Sequence, residues 1–144
     1  MLFGKLFLLF VAATGTVLHV KEKRWTDPTK FPGAQVIEQP VDAIDAWDDI
    51  EKCSKGRDRA FEKVQWVVAD SIPFYSPEHH VVAGAYIGQH HSIVILRSIY
   101  NLDPQHPLRH VVIRHELMHL KQYAIGHSSK YFNTECGTMN EYVR

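Results

Sequence analysis

The first long run of apolar residues lies near the amino terminus, at residues 6–18, directly after Lys5. One positive charge followed by about a dozen apolar residues is typical of a signal peptide, and a bilayer-spanning helix needs roughly 20. A net positive charge at residues 21–24 leaves an uncleaved membrane anchor as the alternative. We therefore predict that residues 1–20 are a signal peptide or membrane anchor and that the protein is exported.

Prolines interrupt the apolar pattern after this segment. Three prolines and one glycine lie in the stretch from Trp25 to Pro40. Because proline fixes φ and removes a backbone donor, residues 21–40 are predicted to form an extended connector. The folded domain is expected over residues 41–144.

A helical pattern begins after Asp42, where Ile44, Trp47 and Ile50 recur at intervals of three residues. Acidic residues crowd the first turns, where they complement the helix dipole. The pattern predicts an amphipathic helix that ends near Gly56.

Three segments rich in β-branched and aromatic residues follow, at Val64–Ala69, Ala83–Gln89 and Ser92–Ser98. Such segments favour strands, and His90 and His91 would lie at the hairpin between the last two.

A second helix is expected from Pro107 to about Ile125, since proline suits the first helical position and Gly126 suits the end. The order helix, strands, helix predicts a small α+β domain. Its sheet would be three-stranded and mostly antiparallel.

The composition narrows the class of protein. Hydrophobic residues make up 45% of the 144 residues, which suits one packed domain and is too much for a disordered chain. The 16 basic and 16 acidic residues give a formal net charge of zero, which argues against a nucleic-acid partner. We expect a monomer. The unusual feature is the ten histidines, nine of which lie between His79 and His127.

One histidine pair has the spacing of metal ligands. Residues 115–119 read HELMH, and on a helix His115 and His119 lie about 40° apart on one face, one turn from each other. Glu116 points about 100° away, so its carboxylate can reach a metal-bound water without ligating the metal. Catalytic zinc uses three protein ligands and one water, whose proton a carboxylate accepts. The motif predicts a zinc site with Glu116 as the general base.

A third ligand has to come from further along the chain. His127 follows His119 by eight residues and could return to the metal through a tight turn. Glu135 and Glu141 are rivals, and Cys136 is another because thiolates also bind zinc.

The segment 115–132, HELMHLKQYAIGHSSKYF, resembles the SprT-like and related minimal gluzincin metallopeptidases. In that pattern HExxH is followed by a short spacer, a further histidine and then an aromatic residue. The resemblance implies zinc on His115, His119 and His127, with Glu116 as the catalytic base and Phe132 as the aromatic. It also implies a minimal zincin-like fold over roughly residues 42–136. The basic extensions and zinc ribbon of the DNA-repair members have no counterpart here. The resemblance is therefore not taken to imply that this protein acts on DNA–protein crosslinks.

Two tyrosines are candidates to stabilise a developing oxyanion, a partner that peptide hydrolysis requires. Tyr131 is favoured over Tyr123 because it closely follows His127; packing is the alternative role for both. The strand Ser92–Ser98 could present an edge to a peptide substrate by β-augmentation, or could simply belong to the core.

Two further groups of residues leave alternatives open. In an exported protein Cys53 and Cys136 could form a disulfide that ties the first helix to the tail, and otherwise they would be reduced core residues. The paired histidines in the two loops are expected to be exposed polar residues, with cleft lining or a second metal as the alternative; they are His79, His80, His90 and His91.

The sequence thus predicts a zinc metallopeptidase that acts on a peptide or protein substrate. The amino-terminal segment could attach it to a membrane. One alternative is a catalytically inactive zincin-fold binding protein with a vestigial metal site. The other is a purely structural site whose fourth ligand is Cys136 or Glu135.

Overall fold

The computed structural model describes residues 27–54, 60–73, 82–123 and 126–139. The predicted signal peptide or anchor, residues 1–20, lies outside this part of the chain, as do His79, His80 and Glu141. Among the described residues, no helix combines the length and apolar character needed to cross a bilayer.

The sheet has four strands in the described residues, in the order β1-β2-β4-β3. They are β1 Gln35–Ile37, β2 Gln65–Ala69, β3 Gly84–Ile87 and β4 Ser92–Leu96. β1 pairs antiparallel with β2, β2 pairs parallel with β4, and β3 pairs antiparallel with β4. The prediction of three strands is therefore wrong. The additional strand is β1, which comes from the stretch expected to be a connector.

The reason for that error is the length of β1. Three residues are too few to show an alternating pattern, and proline flanks the segment at Pro32 and Pro40. β1 forms because its backbone pairs with β2, where Val36 lies opposite Val67. Only the tertiary structure supplies that partner.

Of the two roles left open for residues 92–98, the structure excludes the substrate-binding edge, because β4 lies between β2 and β3. A strand that is apolar on both faces is typical of a central position, and residues 92–95 are all buried. The strand ends at Leu96 rather than at Ser98, since a short helix follows directly. Among the described strands, β3 forms the edge on this side of the sheet.

Within the described ranges, three α-helices accompany the sheet: α1 Val41–Cys53, α2 Arg97–Tyr100 and α3 Pro107–Gln122. The small α+β class is confirmed. Both long helices end about three residues before their predicted stops. α3 is terminated by Tyr123, whose φ of 51° is left-handed, and not by Gly126.

The sheet separates two groups of core residues. Trp66 and Ile93 project toward α1 and α3, while Val67 and Val94 project to the opposite face, where Phe31 covers them. Because side chains alternate along a strand, β2 and β4 serve both layers.

α1 and α3 run parallel and are joined by three ion pairs. The pairs are Asp42–Arg109, Asp49–Arg114 and Glu51–Lys121, with N···O distances of 2.8, 2.7 and 3.0 Å. The first is buried and bidentate, and Arg109 also donates to the carbonyl oxygens of Tyr100 and Leu102. α3 is thereby held in register against α1 as well as against the sheet.

Candidate metal centre

The HELMH segment lies in the second half of α3, as the spacing predicts. The helix begins at Pro107, and the Nδ1 atom of His106 accepts a hydrogen bond from the Leu108 N–H at 3.2 Å. His115 and His119 are buried, 6% and 7% exposed, and both rings contact Phe132. Both rings emerge from the helix on one side, as residues four apart do.

Three imidazole nitrogens converge beside α3. The Nε2 atoms of His115, His119 and His127 form a triangle with edges of 3.0, 3.1 and 3.2 Å. Zn–N bonds of about 2.0–2.1 Å at tetrahedral angles would place neighbouring ligand nitrogens about 3.3 Å apart. The triangle therefore fits one face of a four-coordinate ion. These three residues could hold a metal ion.

The orientation of His115 is set from behind by a backbone carbonyl. Its Nδ1–H donates to the Thr138 carbonyl oxygen at 2.8 Å. Because a carbonyl can only accept, Nδ1 carries the proton and Nε2 presents its lone pair to the triangle. A hydrogen bond of this kind typically fixes the ring of a metal-ligating histidine.

Burial also keeps His115 neutral. Desolvation lowers its pKa from 6.5 to about 4; the Thr138 hydrogen bond opposes this shift, and the Coulombic interaction with the neighbouring imidazoles of His119 and His127 adds to it. A histidine must be deprotonated to bind a metal. His115 is therefore ready to ligate at neutral pH.

A phenylalanine packs against all three rings. The centroid of Phe132 lies 4.9 Å from those of His115 and His127 and 4.6 Å from that of His119. Phe132 is 4% exposed and belongs to the main core. The aromatic residue expected after the third histidine therefore forms an apolar wall of the site.

Glu116 is buried between α3 and the edge strand β3. Desolvation raises its pKa from 4.5 to about 8, although the backbone N–H of Tyr86 donates to it and opposes the shift. A Cβ atom at Gly84 would lie 2.9 Å from the Cγ of Glu116 and 3.0 Å from its Oε1. The absence of a side chain at Gly84 is what lets the carboxylate occupy this position.

The rival third ligands have other surroundings. Cys136 forms a disulfide with Cys53, with their Cα atoms 5.6 Å apart, so the bridge anticipated as one alternative is present. Glu135 is exposed and stands outside the histidine cluster. His127 is therefore the third member among the described residues.

The two tyrosines and the hairpin histidines differ in burial. Tyr131 is half-buried against the core, and Tyr123 is 61% exposed at the end of α3. His90 is exposed, and the Nε2 of His91 donates to the Ala60 carbonyl oxygen at 3.0 Å. His91 thus has a structural role at the hairpin.

Two residues that shape the metal centre were not identified from the sequence. Thr138 acts through its carbonyl, a group that every residue carries, so no side-chain pattern could identify it. Gly84 lies within the segment 83–89 that was predicted to be a strand, and nothing in that pattern singled it out for the metal centre. Its importance comes from the close approach of Glu116, which only packing creates.

Comparisons with protein-family models, curated proteins and solved structures find no match for this chain.

Proposed function

We propose that this protein is a zinc-dependent metallopeptidase, similar in its chemistry to the SprT-like and minimal gluzincin enzymes. The observation that carries the proposal is the triangle of Nε2 atoms from His115, His119 and His127. A buried carboxylate from the same helix accompanies it, at Glu116. Three imidazoles with an adjacent carboxylate are the parts that zinc-assisted hydrolysis requires.

Zinc is the metal that suits these ligands best. Imidazole is a good ligand for zinc, and three protein ligands with one open position are typical of catalytic rather than structural zinc sites. The disulfide removes Cys136 as a thiolate ligand, and Glu135 is outside the cluster. Among the described residues, these facts favour an open site over a closed structural one.

Each residue then has a defined task. Bound zinc would supply Lewis acidity toward water and the scissile carbonyl. His115, His119 and His127 provide three ligand nitrogens, and the Phe132 ring keeps solvent from their inner side. In its ionised form, which the positive charge of bound zinc would favour, Glu116, held by the Tyr86 N–H, accepts the proton of the attacking water and passes it to the leaving amine.

The substrate is a peptide or protein segment in extended conformation. β3 is at the edge of the sheet and borders Glu116 at Gly84. An extended peptide could add along this edge by main-chain hydrogen bonds, which would bring its backbone close to the metal centre. Tyr131, next to Phe132 in the chain, is proposed to donate a hydrogen bond to the oxyanion.

The first experiment tests the metal. Purified parent protein is expected to contain one equivalent of zinc, and His127→Ala is expected to lose it. His90→Ala serves as the control, since it removes an exposed histidine outside the triangle. Equal zinc contents in parent and His127→Ala would contradict the ligand assignment.

The second experiment tests the chemistry. Glu116→Gln should retain zinc and lose hydrolysis of a peptide library, whereas Glu135→Gln, which alters an exposed carboxylate outside the histidine cluster, should behave as the parent does. If Glu116→Gln cleaves as fast as the parent, the mechanism is wrong. If the zinc-loaded parent cleaves nothing, the inactive binding protein becomes the better description.

A further inference from the structure

The chain that follows His127 folds back on itself in a compact loop, residues 128–138, which we name the closing loop. It is held by its own hydrogen bonds. The Ser128 carbonyl oxygen accepts from the Phe132 N–H at 2.8 Å, and the Asn133 side-chain oxygen accepts from the Cys136 N–H at 2.7 Å. The loop therefore has a defined shape without regular secondary structure.

Thr138 joins the closing loop to the metal centre. Its hydroxyl donates to the Tyr131 carbonyl oxygen at 2.8 Å and accepts from the Asn133 N–H at 3.0 Å. Its own carbonyl oxygen accepts from His115 Nδ1 at 2.8 Å, and the residue is completely buried. The hydroxyl thus fixes the backbone of the residue whose carbonyl orients a ligand ring.

The disulfide ties the same loop to α1. Cys136 precedes Thr138 by two residues and is bonded to Cys53, the last residue of α1. A cavity of about 430 Å³ opens beside the bridge and is lined by both cysteines together with Asp49, Lys52 and Arg114. A small dithiol could therefore reach the sulfur atoms.

We propose that Thr138 is a positioning residue for the metal centre and that the Cys53–Cys136 disulfide holds it there, so that metal affinity depends on the redox state of the bridge. The proposal rests on metal binding by the three histidines, which is part of the proposed function. The carbonyl of Thr138 keeps the lone pair of His115 Nε2 directed at the triangle. Breaking the bridge frees one end of the closing loop and relaxes that constraint.

The redox step is a two-electron exchange with a dithiol. The dithiol loses two electrons and two protons and becomes a disulfide, while the S–S bond breaks and Cys53 and Cys136 each gain a proton as thiols. The histidines take no part in this exchange. The exchange changes metal affinity only through the position of the closing loop.

The test measures zinc dissociation constants by competition with a chelator. Thr138→Val keeps the volume but removes the hydroxyl, and we expect it to bind zinc about 10- to 100-fold more weakly, as for other groups that orient a ligand. Thr138→Ser keeps the hydroxyl and should restore the affinity of the parent. Thr134→Val is the matched control, since Thr134 is an exposed residue of the same loop.

Absorption spectra with cobalt in place of zinc report the ligand geometry without reference to hydrolysis. We expect an altered spectrum for Thr138→Val and parent-like spectra for Thr138→Ser and Thr134→Val. Unchanged affinity and an unchanged spectrum in Thr138→Val would overturn the positioning role.

The disulfide is tested with the double variant Cys53→Ser/Cys136→Ser. Serine is preferable to chemical reduction because free thiolates would themselves bind zinc. We expect a loss of zinc affinity of about the same 10- to 100-fold size, and affinity equal to the parent's would overturn the redox coupling. Far-UV circular dichroism checks folding, and the double variant decides if Thr138→Val does not fold. A parent that binds no zinc would instead refute the proposed function.

Discussion

The burial of Glu116 makes a quantitative prediction about the metal-free protein. Its pKa is raised to about 8 in the folded state from 4.5. The folded state therefore holds its proton more tightly than the unfolded state does. The stabilisation from this group is complete below about pH 4.5 and is lost as the pH rises through about 8.

The size of the effect follows from the shift. Each pKa unit corresponds to about 1.4 kcal/mol, so the shift amounts to roughly 5 kcal/mol between pH 4.5 and pH 8. That is comparable with the whole stability of many domains, which is about 5–15 kcal/mol. Water reaching the carboxylate would reduce it, so roughly 5 kcal/mol is an upper figure.

Glu116→Gln replaces the carboxyl group with a neutral amide of similar shape. The variant and the parent should be equally stable near pH 5, and the variant should be more stable by several kcal/mol at pH 8. His115 also titrates, and its lowered pKa removes stability as the pH falls from 6.5 toward about 4. Because both proteins carry His115, this contribution cancels in the difference.

The assay is urea unfolding of chelator-treated protein at several pH values between 5 and 8, followed by circular dichroism. The quantity compared is the difference in unfolding free energy between variant and parent. Glu135→Gln, which alters an exposed carboxylate, should show no such trend. A difference that stays flat from pH 5 to pH 8 would refute the claim that burial governs Glu116.

Three other substitutions test the architecture around the site. Replacing Cys53 and Cys136 by serine should lower the unfolding free energy by about 4.5 kcal/mol, because the bridge closes a loop with a sequence separation of 83. Urea titration under metal-free conditions measures this loss. Gly84→Val should retain zinc in metal analysis but lose peptide hydrolysis, since the valine side chain would occupy the space of the Glu116 carboxylate. Full activity would show that the close approach of Gly84 and Glu116 is unimportant. Arg109→Met leaves Asp42 buried without its partner and should cost about 3–5 kcal/mol in thermal or urea unfolding, a cost that Asp42→Asn in the same chain should partly relieve.

Much of the fold could be predicted from local pattern. α1, α3, β2 and β4 lie close to where helical spacing and β-branched residues placed them. The predictions failed where the structure of a segment depends on the strand with which it pairs. β1 is too short to show a pattern, and the central position of β4 depends on its pairing with β2 and β3.

In the candidate site, too, some residues could be predicted from local pattern and others could not. Spacing alone was enough to put His115 and His119 on one face of a helix, because residues four apart are neighbours in any α-helix. The distance from His119 to His127 depends on the turn after α3, so the third ligand stayed open among several residues until the chain was folded.

Local sequence therefore determined the helix, its two histidines and the adjacent Glu116, since these relations need only the geometry of one element. The tertiary structure decided the rest: the third nitrogen of the triangle, the Thr138 carbonyl behind His115, and the bridge that holds the closing loop. It also decided the burial that raises the pKa of Glu116. These features join segments far apart in the chain, and their energies come from packing and desolvation, which no local pattern records.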